Sequence, residues 1–173
     1  MRPLGDQAIA VIGLGRFGES IAHTLAADGR EVIVIDTDPA RVAEMADDVT
    51  LAVEGDATSR QVLTDLGVAE CGVAVVAIGE HLESSILATS LLSEMGLPEI
   101  WARALSPAHG RILERVGAHH VVYPEQEIGR SVTKSILGAR PTPPSRQTDR
   151  RFISPGARSC AGCSSMADIS FPS

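Results

Sequence analysis

Ala8-Ile9-Ala10-Val11-Ile12-Gly13-Leu14-Gly15-Arg16-Phe17-Gly18 is the stretch on which the fold turns. Five apolar residues ended by glycine predict a strand buried on both faces. From Arg16 to Asp28, Phe17, Ile21 and Leu25 recur at four-residue steps, predicting an amphipathic helix closed by Gly29. Between strand and helix, Gly13, Gly15 and Gly18 form a G-x-G-x-x-G pattern. The first glycine permits a tight turn, the second lets a pyrophosphate approach the backbone, and the third lets helix and strand pack closely. The helix start offers unpaired N–H donors and a partial positive charge to phosphate.

Outward from this unit the alternation continues. Val32 to Ile35 reads as a second strand, and Asp38-Pro39 as an N-cap followed by proline, opening a helix through Met45. Thr50 to Val53 is a short third strand, after which Thr58 is expected to cap a helix carrying Val62, Leu63 and Leu66. Val73 to Ile78 is the fourth strand, followed by a helix from about His81 to Met95. Glu99 to Ala104 and His119 to Tyr123 are the fifth and sixth strands, separated by a helix from Pro107 to Val116. A last amphipathic helix, Glu125 to Leu137, carries Ile128, Val132 and Ile136 on one face. Strands alternating with helices predict an α/β, doubly wound, parallel six-stranded sheet. Its expected strand order is 3-2-1-4-5-6, and ligands in such sheets bind beyond the carboxyl ends of the strands at the switch point.

Composition narrows the function. Of 173 residues, 44% are hydrophobic but only 3% aromatic, so the core is aliphatic. The net charge of −7 argues against nucleic-acid binding, which uses a basic stripe. No apolar run reaches the roughly 18 to 20 residues that span a bilayer, and Met1 to Asp6 does not read as a secretory signal. A cytoplasmic chain is expected. Residues 139–173 hold five of the ten prolines and carry a charge of +3, a composition that reads as a disordered tail.

Candidate ligand contacts gather at the predicted strand edge. Asp36, eighteen residues past Gly18, can accept hydrogen bonds from ribose hydroxyls and repels a 2′-phosphate. Asp56, Ala57 and Thr58 lie beyond strand 3, where the acid either lines the adenine side or serves the next helix; Ile78 and Gly79 end strand 4. Arg16, inside the glycine loop, could meet a terminal phosphate or a neighbouring subunit, or stand solvated on the first helical turn. Arg103 lies at the end of strand 5 and Glu125 just after strand 6; Glu125 suits either a divalent cation or the positive start of the last helix. His119 and His120 are adjacent, hence on opposite strand faces, and cannot chelate one metal together. His23, His81 and His109 are expected on helix surfaces or ends, and Cys160 and Cys163 form an isolated C-x-x-C with no partner pair.

Ile12 to Gly18, Val34-Ile35-Asp36, Glu54-Gly55-Asp56-Ala57-Thr58, Val75 to Gly79, Trp101 to Ala104 and Gly117 to Glu125 together closely resemble the N-terminal domain of the RCK proteins. These regulators of potassium conductance are also called TrkA-N or KTN domains. The resemblance implies a nucleotide-binding domain over residues 7–125, with Gly13, Gly15, Arg16, Phe17, Gly18, Asp36, Asp56, Ala57, Thr58, Ile78, Gly79 and Arg103 around ATP, ADP or NAD(H). It implies a crossover helix over 126–138, homodimers and octameric rings beneath a potassium-translocating membrane protein, and regulation without catalysis. The position of Arg16 would meet a γ-phosphate, and that of Glu125 a cation between subunits. Family members continue into a small α/β domain, where this chain turns to Pro141-Thr142-Pro143-Pro144. A truncated or frame-shifted relative, a stand-alone domain and a subunit completed by another chain all fit that departure. The competing reading, an NAD-dependent oxidoreductase or dinucleotide-binding redox sensor, would need a substrate domain and a general acid or base beside the nicotinamide.

Overall fold

The computed structural model describes residues 8–138. The expected disordered tail and the Cys160–Cys163 pair lie outside the described residues. The elements run β1 (Ile9–Ile12), α1 (Arg16–Ala27), β2 (Val32–Asp36), α2 (Pro39–Met45), β3 (Leu51–Glu54), α3 (Arg60–Asp65), β4 (Val73–Val76), α4 (Leu82–Glu94), β5 (Glu99–Arg103), α5 (Pro107–Arg115), β6 (His120–Val122) and α6 (Pro124–Gly138). The strands form one parallel sheet in the order β3-β2-β1-β4-β5-β6, as expected. Ile12 pairs with Ile35 on one side and Val76 on the other, so the glycine loop leaves the sheet at its switch point.

The period-two alternation of the strands divides the core into two layers. Ala10, Ile12, Ile33, Ile35, Ala74, Val76, Ile100 and Ala102 pack under Leu63 of α3, Ala88 and Leu92 of α4, and Leu113 of α5. Val11, Val32, Val34 and Val75 pack on the opposite face against Ala22 of α1 and Met45 of α2. Each fully buried Ile, Leu or Val stabilises the fold by about 1.5–3 kcal/mol relative to an exposed one. Within the α1 stripe, Ile21 and Leu25 do pack against this second layer. Phe17 instead lies in the cleft, because Gly18 and Ala22 are the positions that touch the sheet.

Local expectations change at Thr58, His109 and His119. Thr58 does not cap α3; Ser59 holds the N-cap position, and Thr58 is bound up in the turn before it. A short 3-10 turn at Val68–Glu70, entered through left-handed Gly67, precedes β4. His109 is not on the surface of α5 but 3% exposed: its Nδ1 accepts the Leu105 N–H at 3.3 Å, and the Ser106 cap on the His109 N–H fixes this turn. His119 precedes β6 and accepts the Ile100 N–H through Nδ1, whereas His120 stacks on Trp101 with ring centroids 4.1 Å apart. The two histidines therefore do go separate ways.

Candidate nucleotide-binding site

The parallel arrangement brings every strand's carboxyl end to one edge, where a cleft of about 920 Å³ opens. Its floor is the glycine loop. The Gly13 N–H donates to the Ile35 carbonyl at 2.8 Å, and Gly13 adopts φ 95°, which a side chain would strain. A Cβ on Gly18 would overlap the Gly13 carbonyl oxygen, so the third glycine is a steric requirement of the turn. Gly15 occupies the N-cap of α1 without a side-chain cap, leaving the helix start available to an anion.

Asp36 closes one wall. Its Oδ2 accepts the Leu14 N–H from within the glycine loop, and its Oδ1 accepts the Asp38 N–H at 2.8 Å. The carboxylate thus ties β2 to the loop after β1 while still lining the cleft. Asp56 and the buried Ala57 line the cleft beyond β3. The Asp56 Oδ1 accepts the Thr58 N–H at 2.9 Å and the Thr58 hydroxyl at 2.7 Å. These donors hold its carboxyl below the usual range, the backbone N–H contributing most. Thr58 is not itself among the lining residues; it acts on the cleft only through Asp56.

Arg16 is exposed at the mouth. Ile78 and Gly79 line the far wall together with Arg103 and Glu125. Arg103 Nη2 donates to Glu125 Oε1, and the guanidinium lies 5.9 Å from the centroid of the Phe17 ring. The Glu125 carboxyl is also held below the usual range, first by its own backbone N–H at the start of α6 and then by Arg103. Among the described residues no group of three or more His, Cys, Asp or Glu is placed to hold a metal. Glu125 alone, already paired with an arginine, does not make a cation site within one protomer.

The sequence reading missed Asp38, Arg41 and Ser84, which also line the cleft. All three sit in or just before the first turn of a helix that follows a strand, the position whose topology could have pointed to them. The Asp38 Oδ1 caps α2 by accepting the Ala40 N–H, as expected, and Asp38 pairs with Arg41 at 3.3 Å.

Volume, glycine loop, open helix start and a β2-terminal acid fit an adenosine nucleotide, and pockets of such ligands span about 300–1,000 Å³. They define a Rossmann-type nucleotide-binding domain. More particularly, residues 9–124 match the TrkA-N domain family, and the chain belongs to it. It is 41% identical over 128 residues to the Ktr system potassium uptake protein C of Bacillus subtilis (strain 168), covering 74% of this chain and 58% of that protein. It is 37% identical over 136 residues to the Ktr system potassium uptake protein A of the same organism, covering 79% and 61%. The chain therefore spans about three-fifths of the length of these relatives. The fold is shared with the TrkA-N domain of the inner membrane protein ybaL from Escherichia coli, at TM-score 0.68 and 23% identity, over 77% of this chain and 98% of that one. It is shared also with the GsuK channel bound to NAD, at TM-score 0.65 and 19% identity, over 73% and 23%. GsuK bound to ADP gives TM-score 0.65 and 18% identity, over 76% and 35%.

Proposed function

We propose that this chain is a nucleotide-binding regulatory subunit of a potassium transport system, working at the cytoplasmic face of a membrane partner and catalysing nothing itself. The observation that carries the reading is the Asp36 carboxylate held against the glycine loop at the sheet's switch point. That pairing forms a ribose-facing acid and a phosphate-facing helix start on one floor. ATP, ADP or NAD(H) would lie with its adenosine toward Asp36, Asp56 and Ala57 and its phosphates over Gly13, Gly15, Arg16, Phe17 and Gly18. Ile78, Gly79 and Arg103 would wall the other end. The relatives named as potassium uptake proteins support the transport assignment.

No helix among the described residues is long and apolar enough to cross a membrane. The potassium-translocating membrane partner is part of the proposal, supported by the relatives named as potassium uptake proteins. The apolar face of α6 supports self-association: Ile128, Val132 and Ile136 are 63%, 51% and 66% exposed, and a second copy, or an octameric ring of copies, would cover them. Any cation at Glu125 would need oxygens from the nucleotide and from a second subunit. Ligand changes transport only by binding two assembly states unequally.

Titration calorimetry with ATP, ADP, NAD⁺ and NADH tests the proposal. Saturable binding of at least one is expected; absence of all four sinks it. Binding of NAD(H) alone, with hydride turnover on any added acceptor, would replace regulation by an oxidoreductase.

A further inference from the structure

Arg103 is built into the molecule more tightly than a wall residue of a nucleotide cleft needs to be. Its side chain is 17% exposed, although it ends a strand at an open cleft. One side of the guanidinium faces Phe17 in the first turn of α1. Another lies so close to Gly79, after β4, that a Cβ there would overlap it. Nη2 holds Glu125 in the first turn of α6, and Nε is buried with no partner among the described residues. One side chain thus touches the segments that follow β1, β4 and β6, and its charge-assisted bond runs to the last helix, α6. The orphaned Nε is a donor left over in this arrangement, and a buried donor without an acceptor is unfavourable.

Resting on the nucleotide reading above, we propose that Arg103 is a positioning residue that pins α6 through Glu125 and surrenders that carboxylate to a phosphate group in the cleft. A guanidinium satisfies phosphate with two parallel donors, which the single Nη2 contact to Glu125 does not use. Glu125 and the ligand's phosphates compete for one cation, so occupancy of the cleft loosens the first turn of α6. The same competition makes the unpinned state the tighter binder of phosphate, the unequal affinity that any ligand-driven shift requires.

Competition predicts opposite signs for two substitutions, measured on the full chain in EDTA so that no divalent ion bridges Glu125. Glu125→Gln removes the competitor and tightens ADP and ATP. Arg103→Gln removes the phosphate partner and weakens both, by about tenfold. Adenosine, which has no phosphate, binds all three proteins alike, and the double variant behaves as Arg103→Gln. Without ligand, amide hydrogen exchange over residues 126–138 is faster in both single variants than in the wild type, and ATP speeds it in the wild type only. Arg103→Lys keeps the charge but not the fork, and restores only part of the ATP affinity. Weaker or unchanged ATP binding in Glu125→Gln overturns the competition, and unchanged exchange in ligand-free Arg103→Gln overturns the pin. If the wild type binds none of adenosine, ATP, ADP and NAD(H), the nucleotide reading fails and the release by phosphate with it. If adenosine binds but ATP gains nothing over it, the site stands and Arg103 is only a wall.

Discussion

The carboxylate of Asp36 and the backbone N–H of Leu14, twenty-two residues apart, are hydrogen-bonded across the mouths of β2 and β1. This bond gives the acid two tasks. It fixes the glycine loop before any ligand arrives, and it presents a negative oxygen where a ribose would lie.

Asp36→Ala is therefore expected to act twice. Affinity for adenosine nucleotides should fall by about 1–3 kcal/mol through the lost ribose contact, read by calorimetry. Stability should fall by about 1–2 kcal/mol in urea melts, because the Leu14 and Asp38 N–H groups lose their acceptor. Wild-type affinity in a folded Asp36→Ala protein would remove the ribose role.

Gly18→Ala tests the loop without removing any polar side chain. The new methyl meets the Gly13 carbonyl, which is itself held to β2 by the Gly13 N–H bond to Ile35. Overpacking of this kind costs about 1–3 kcal/mol, and the displaced backbone should abolish nucleotide binding. Gly15→Ala is the control, since a Cβ there meets nothing within 4 Å. It should leave the melting temperature near that of the wild type.

Substituting the exposed face of α6 should separate folding from assembly. Ile128→Asp and Val132→Asp remove apolar surface that the single chain does not bury, so the domain should still unfold cooperatively, its melting point lowered only by what assembly contributes. Light scattering should show the wild type larger than a monomer and both variants reduced to one. A wild type that is already monomeric would count against self-association through α6.

The buried His109 gives a pH signature. Burial pushes its folded pKa below the ordinary value of 6.5, so the unfolded chain binds the proton more readily. The sign follows: its contribution to stability is complete above pH 6.5 and is lost as pH falls through the depressed folded value. Denaturant midpoints from pH 8 to pH 5 should decline on the acid side, and His109→Gln should flatten that slope. An identical slope in the variant would assign the decline to other groups.

Cys71 offers a simple probe of the core. It is 1% exposed beside Glu70, and burial first, then that carboxylate, pushes its thiol up to about 11. Peptide mapping after brief iodoacetamide treatment at pH 8 should find Cys71 unmodified in the native protein and modified in urea.

Most of the secondary structure was legible because it is local. The aliphatic run ending in Gly13, the four-residue steps of α1 and the Asp38-Pro39 start of α2 each impose a period or a backbone restriction that acts within a few residues. Where two local signals compete, the reading slips by a residue or two. Thr58 and Ser59 both suit an N-cap, and the prior claim of Asp56 on Thr58 decides for Ser59.

By itself the sequence determined the parallel sheet, its strand order, the glycine loop and the acid at the end of β2. Those follow from apolar periodicity, from glycine's conformational freedom and from the handedness of β-α-β crossovers, none of which needs to know what a side chain touches. Tertiary structure alone decided that Asp36 would hold Leu14, that Arg103 would reach Glu125, that Phe17 would turn to the cleft, and that His109 would be buried. Each of the first three joins different elements across the strand edge, and the burial of His109 depends on what packs over α5. All are set by which side chains the packed sheet leaves facing one another, and the linear order of residues carries no periodic signal for that.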